Sequence, residues 1–182
     1  MRPLPAGSQA AFPPAAHERR GSRLSDRSTR NVEPPGAADA RDAARAAVAA
    51  GRTGILDADR ARYEPLPIVT PNGELAGWFI GLVDRDRLLG YVQLDADLRY
   101  HRASWFGGIG QAAADWLDPM RVVELARPAM DPGEQPGRPF LSYDASPDRI
   151  GWIVPVESAG RTRRLMVAGT SAFELRERGG VG

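Results

Sequence analysis

Few side chains in the sequence could take part in catalysis, and histidine is the first to consider. The chain has two histidines, His17 and His101. His101 lies near hydroxyl and carboxylate groups in the sequence. A catalytic triad could therefore consist of Ser104 as nucleophile, His101 as base and Asp97 as orienting carboxylate. In an extended segment, however, residues three apart point to opposite faces, and no Gly-x-Ser-x-Gly nucleophile elbow occurs. We therefore expect no catalytic residue, and we interpret His101 as part of a polar strand end.

Acidic pairs and a glycine-rich loop are the remaining patterns that could bind an ion or a cofactor. Asp84 and Asp86 are spaced to share one face of a strand, as are Asp95 and Asp97, but the calcium-loop pattern is missing. The Gly-Gly-Ile-Gly loop at 107–110 precedes a predicted helix, yet it lacks the Lys-Ser/Thr end of a phosphate-binding loop. The sequence has no cysteine, which excludes disulfides and thiolate metal sites. We expect neither a metal ion nor a cofactor.

An aromatic and cationic run in the middle of the chain is the best candidate for a binding surface. Residues 100–106 read Tyr-His-Arg-Ala-Ser-Trp-Phe. If exposed, these side chains would form a contact patch of the kind enriched at protein interfaces; if buried, they would close a core. The predicted binding residues are Tyr100, His101, Arg102, Trp105 and Phe106.

Composition and charge restrict the class of partner. The chain carries 24 basic and 23 acidic residues, a net charge of +1, so no overall field attracts nucleic acid or an anionic membrane. Arg161, Arg163 and Arg164 lack interleaved aromatic residues, which is typical of a solvated turn. No apolar run is long enough to span a membrane, and prolines interrupt the first residues where a signal peptide needs its apolar core. We expect a cytoplasmic protein, with export through an unrecognised signal left open.

The elements that would position these residues follow from composition and periodicity. Residues 1–36, which include His17, are rich in Pro, Gly, Ser and Arg and predict a disordered arm. The Ala-rich segment from Ala37 predicts a helix that stops at Gly51. A second helical segment over 111–126 is expected to kink or restart at Asp118-Pro119. The predicted strands are 66–70, 75–83, 88–94 with an extension toward 106, then 140–143, 149–156 and 165–175.

The two halves of the chain resemble each other at a fixed spacing. Gly151-Trp152 falls on Gly77-Trp78 at an offset of 151 − 77 = 74 residues, and the apolar pattern that follows agrees as well. Tryptophan is rare, so the pair is stronger evidence than the alanines that also match. The prediction is a duplication, with repeats at 37–106 and 107–182. The expected fold is α+β: two tandem helix-plus-antiparallel-strand repeats, of αββ type and cystatin-like, that share a core.

A family resemblance agrees with this layout. The order helix, strand, charged hairpin, strand, with the segments Gly-Trp-Phe-Ile-Gly-Leu-Val and Leu-Leu-Gly-Tyr-Val-Gln-Leu-Asp, resembles the αββ units of PepSY-like and streptopain-propeptide-like domains. The resemblance covers residues 37–105 best and 111–175 less well. It implies a non-catalytic module that inhibits, chaperones or docks against a protein partner, often a protease.

Three functions follow as hypotheses. The leading one is a non-enzymatic protein-binding module that acts through an exposed strand edge or through the patch at 100–106. The second is a small-molecule-binding or hydrolytic domain with a pocket between the repeats, which a cluster of buried polar groups would favour. The third is a structural subunit of a larger assembly, tethered by the arginine-rich arm, which a large exposed apolar patch would favour.

Overall fold

A computed structural model describes residues 35–55, 58–107, 110–144, 149–158 and 160–175, and these residues belong to one compact unit. The predicted arm at 1–36 lies outside the described residues except for its last two, and His17 lies outside them too. Within the described ranges, no helix is both long and apolar enough to cross a membrane.

Three α-helices and ten strands make up the described part of the chain. The helices are α1 (Ala37–Ala49), α2 (Ala114–Leu117) and α3 (Pro119–Ala126), with 3-10 turns at Ala58–Arg60 and Arg127–Ala129. The strands of the first half are β1 (Arg62–Val69), β2 (Leu75–Asp84), β3 (Arg87–Asp95) and β4 (Tyr100–Trp105). The strands of the second half are β5 (Gln111–Ala112), β6 (Gln135–Pro136), β7 (Phe140–Tyr143), β8 (Ile150–Ser158), β9 (Arg161–Ala168) and β10 (Ser171–Glu174).

All ten strands belong to one mixed sheet. Its order is β10-β9-β8-β7-β1-β2-β3-β4, with β5 paired to β3 and β6 paired to β8. Neighbours are antiparallel except β1 and β7, which run parallel and pair through Ile68 and Leu141. The sheet therefore consists of two antiparallel ladders joined at one short parallel seam.

The expected α+β fold of two tandem αββ repeats is wrong. Strands account for 47% of the described residues and helices for 23%, so the protein is mostly β. The sequence prediction missed strand residues in β1, β5, β6 and β9. β1 and β9 begin earlier than expected, and β5 and β6 lie in segments predicted as helix and loop. The predicted strand at 165–175 is divided by a turn between β9 and β10. The pairing of β1 with β7 then merges both ladders into one sheet.

The sheet is buried on both faces, and each face carries its own core cluster instead of the single shared core that we expected. On β2, Trp78 and Ile80 point toward α1, while Phe79 between them points to the opposite face with α3. A strand covered on both faces is apolar at consecutive positions, which explains the unbroken apolar run of β2. Helix α1 contributes Ala40 and Ala44, whose small side chains let it approach the sheet closely.

Several local predictions are confirmed. Helix α1 ends near Gly51, which has a φ of 71° that favours glycine. The second helical segment restarts at Pro119, and the side chain of Asp118 caps the new helix by accepting the Met120 N–H at 2.9 Å. Gly73 closes the predicted turn before β2 with a φ of 85°.

The internal duplication and its boundaries at 106 and 107 stay predictions. Trp78 and Trp152, which the duplication makes equivalent, lie in different core clusters.

Candidate functional site

Strand β4, which carries all the predicted binding residues except Phe106 just after it, is the last strand in the sheet. It pairs with β3 through Tyr91–Ser104 and Gln93–Arg102, and no described strand lies on its other side. The Phe106 N–H donates to the Leu89 carbonyl at 2.8 Å. Backbone groups alternate in direction along a strand, so those of residues 102, 104 and 106 face β3 and those of Ala103 and Trp105 face outward. The outer edge of β4 thus presents backbone donors and acceptors to the surroundings.

The five predicted binding residues divide between the two faces of the sheet. Tyr100 and Trp105 pack on the core cluster beside α1. Arg102 lies over the ring of Tyr91 on the opposite face, and Phe106 lies on that face too. The register shifts between Gln93 and Leu94, which lets Tyr100 and Trp105 share a face although they are five residues apart. His101 lies at this irregularity and is exposed. The geometry therefore describes an edge with two different flanks instead of one continuous patch.

A chain of hydrogen bonds through the buried Gln93 fixes Arg102. Its Nε donates to Oε1 of Gln93 at 2.8 Å, and Nε2 of Gln93 donates to the Tyr143 hydroxyl at 3.2 Å. Gln93 is 1% exposed, so these bonds satisfy a side chain that would otherwise be costly to bury. Burial raises the pKa of the Tyr143 hydroxyl, while the Gln93 hydrogen bond and the Arg102 charge oppose that rise. The chain links β4 across the sheet to β7.

Tyr143 can reach Gln93 because it passes over a glycine. A Cβ at position 77 would lie 3.2 Å from the Tyr143 hydroxyl and 2.5 Å from the Leu94 carbonyl oxygen. The lack of a side chain at Gly77 therefore leaves room both for the β2–β3 ladder and for the crossing tyrosine.

An aromatic cluster anchors the end of β4. Phe106 lies 6.0 Å from Tyr91 and 5.6 Å from Trp116, measured between ring centroids, and Tyr91 stacks on Phe79 at 4.7 Å. On the other face the Tyr100 hydroxyl donates to the Arg52 carbonyl at 3.2 Å, in the segment after α1. Side-chain contacts therefore anchor both ends of β4.

The acidic pair Asp95 and Asp97 lies in the turn before β4. Oδ1 of Asp95 accepts the N–H groups of Asp97 and Arg99 at 2.9 and 2.8 Å, which stabilises the turn before β4. Asp97 also lies 4.0 Å from Arg99 in an exposed ion pair. Among the described residues, no group of three or more possible ligands is placed to hold a metal ion.

Arg163 does more than solvate a turn. It binds both carboxylate oxygens of Glu134 at 2.6 Å and donates to the Ala129 carbonyl at 3.0 Å. Asp131 and Glu174 each lie 3.5 Å from the same guanidinium. The hydrogen bond from Arg163 lowers the pKa of Glu134, against an opposing effect of desolvation. This cluster holds the loop before β6 to β9 and β10.

Sequence reasoning missed Gln93 and Tyr143. A signal for Gln93 was present, because a glutamine inside an apolar strand of a sheet is either at a solvated position or hydrogen-bonded within the core. No signal pointed to Tyr143. It approaches Gln93 only because β7 pairs with β1, and the paired residues Ile68 and Leu141 are 73 residues apart in the chain.

No protein-family model matches this sequence, and no curated protein or solved structure matches it significantly. A function is therefore inferred from the geometry of the chain itself.

Proposed function

We propose that this protein is a non-catalytic binding module that pairs the outer edge of β4 with an extended segment of a partner protein. The observation that carries the proposal is the position of β4 at the end of the sheet, with the backbone groups of Ala103 and Trp105 turned outward. An unpaired edge of this kind is a template for one more strand, and backbone hydrogen bonds to it supply affinity with little dependence on side chains.

Strand β4 suits this role better than β10, the strand at the other end of the sheet. β4 has six residues and β10 has four. Glu174 of β10 takes part in the ion-pair cluster around Arg163. β4 is in addition fixed by Gln93 on one face and by the Arg52 carbonyl on the other. A rigid edge loses little conformational freedom when a partner pairs with it, which favours binding.

The two flanks of β4 indicate the chemistry of the partner segment. Beside α1 the flank consists of Tyr100, Ala103 and Trp105, which are half-buried and apolar. On the other face the flank consists of Arg102 and Ser104. An added strand alternates its side chains between these two faces, so we propose a segment with apolar residues at every second position and polar or acidic residues between them.

The resemblance of residues 37–105 to PepSY-like units adds a role to this proposal. A module that holds an extended segment of another protein can inhibit that protein or shield the segment during folding. We therefore include an inhibitory or chaperone-like role for the β4 edge.

The test uses the full-length protein and a library of displayed twelve-residue peptides. Peptides selected on the wild-type protein are synthesised, and their affinities are measured by calorimetry for Ala103→Pro and for Ala172→Pro. Proline removes an outward N–H in each variant. On β10 the Leu175 N–H bonds to the Arg164 carbonyl of β9, so by alternation the backbone N–H of Ala172 faces outward. The matched control therefore places the same change on the other edge.

We expect Ala103→Pro to weaken peptide binding about tenfold or more, which corresponds to the loss of one buried backbone hydrogen bond and the accompanying clash. Ala172→Pro should leave the affinity unchanged. Equal affinity for both variants would refute the role of β4, and so would a selected peptide whose binding is lost only in Ala172→Pro. If no peptide is selected and the protein instead dimerises in a concentration-dependent way that Ala103→Pro abolishes, the partner of β4 is a second copy of this chain.

A specific observation favours a second candidate, the small-molecule site. A cavity of about 480 Å³ lies at the junction of the two ladders, between the halves of the chain where the second hypothesis places a pocket. Its lining, however, is mainly apolar and includes no described carboxylate or histidine, so it supports ligand binding and offers nothing to hydrolysis.

A further inference from the structure

A groove of about 480 Å³ opens at the seam between β1 and β7, and we call it the seam groove. β1 pairs with β2 over its whole length but with β7 only at Ile68. Pro65 and Pro67 have no N–H, and because β1 retains its ladder with β2, the missing donors lie on the side that faces β7. Before Ile68, β1 therefore lacks the donors that would pair it with β7. The sequence itself thus creates a cavity in the middle of the sheet.

The body of the seam groove is apolar. Leu66 and Val69 of β1 line one side, Phe140 of β7 lines the other, and Trp152 contributes its indole ring. Trp152 is 6% exposed, and its indole N–H donates to the Trp116 carbonyl at 2.8 Å, so the orientation of the ring is fixed. A volume of this size, lined mainly by hydrophobic and aromatic groups that are already in place, is typical of sites for small ligands.

Among the described residues, the polar side chains of the seam groove are one arginine and one threonine. Arg138 is the one charged residue in its described lining; it is exposed, and no carboxylate among the described residues forms an ion pair with it. Thr70 supplies a hydroxyl whose oxygen accepts the Glu74 N–H at 3.2 Å and whose hydrogen can be donated to a ligand. The groove thus offers hydrogen-bond donors and a positive charge beside an apolar body.

We infer that the seam groove binds a small amphipathic carboxylate, with the apolar part against Trp152 and Phe140 and the carboxylate on Arg138. A guanidinium binds a carboxylate through two parallel hydrogen bonds, which distinguishes it from a neutral group of the same shape. This site is separate from β4 and does not depend on the proposed peptide binding, so either can fail while the other stands.

The test is a titration of the full-length protein with 4-phenylbutyrate and, as the neutral counterpart, 4-phenylbutan-1-ol. We expect saturable binding of the acid with a dissociation constant in the millimolar range or below, as suits about twelve non-hydrogen atoms. The acid should shift the NMR signal of the Trp152 indole N–H, and the alcohol should bind about tenfold more weakly.

Three variants locate the ligand. Arg138→Gln should lower the affinity for 4-phenylbutyrate to that for the alcohol, while Arg161→Gln, the same change at another exposed arginine, should leave it unaltered. Val69→Phe should abolish binding of both compounds by filling the groove. The inference is overturned if the acid does not bind, if acid and alcohol bind equally, if Arg138→Gln behaves like Arg161→Gln, or if the shifts leave Trp152 untouched.

Discussion

Some buried polar side chains in the described part of this protein have hydrogen-bond partners, and one does not. Gln93 and Trp152 lie in the core with hydrogen-bond partners. The indole N–H of Trp78, in the cluster beside α1, is buried without one among the described residues. An unsatisfied buried donor costs about 1–3 kcal/mol, so two tryptophans with similar burial contribute differently to stability.

Exchange of each tryptophan for phenylalanine measures this difference. Both changes remove similar apolar area, but Trp152→Phe also leaves the Trp116 carbonyl without its donor, whereas Trp78→Phe removes an unsatisfied group. We expect Trp152→Phe to lower the free energy of unfolding by at least about 1 kcal/mol more than Trp78→Phe. Urea unfolding of both variants checks this, and an equal or reversed order would contradict the hydrogen-bond assignment.

The pair of Arg163 and Glu134 gives a prediction about pH. The pKa of Glu134 is lowered from its ordinary value of 4.5, with the Arg163 hydrogen bond as the main cause. A carboxylate with a lowered pKa in the folded state stabilises the fold at neutral pH, and this contribution is lost as the pH falls below about 4.5 and through the folded pKa. In Arg163→Gln we expect a flatter fall in unfolding midpoint over that acidic range. Arg161→Gln should retain the wild-type profile, and a variant of Arg163 that does so as well would contradict the prediction.

At the scale of elements, most helices and strands could be predicted from the sequence because their causes are local. Alanine content and Gly51 determine α1, and Asp118-Pro119 determines the restart at α3. The pairing of Ile68 with Leu141 could not be predicted, because the hydrophobic pattern of a strand does not specify its neighbour when both faces are buried. Strand alternation predicts that the side chains of residues 102–106 divide between two faces, but the register shift between Gln93 and Leu94 that sets Tyr100 beside Trp105 could not be predicted.

The cap of α3 offers a direct test at this scale. Asp118→Ala removes the acceptor of the Met120 N–H, and we expect it to lower the free energy of unfolding by about 1 kcal/mol. Asp118→Asn retains a capping oxygen and should change stability by only a few tenths of a kcal/mol. Urea denaturation distinguishes the two, and equal losses in both variants would show that charge, not capping, is the contribution of Asp118.

For the molecule as a whole, the sheet determines where a partner can bind. Two ladders joined at β1 and β7 leave β4 and β10 as the terminal strands. Core clusters on both faces of β2 are covered by helices, so neither face at the middle of the sheet is open to another protein there. The two terminal edges can still pair with another strand, and β4 is the longer and better anchored of the two. The central claim is therefore that the outer backbone groups of β4 pair with a partner strand.

Residue-resolved amide hydrogen exchange tests this claim most directly. In the protein alone, we predict slow exchange at Arg102, Ser104 and Phe106, whose N–H groups face β3, and fast exchange at Ala103 and Trp105. Addition of a selected peptide should slow exchange at Ala103 and Trp105 while the other three change little. If Ala103 and Trp105 are already protected in the protein alone, or gain no protection when the peptide is bound, the outer edge of β4 is not the binding site.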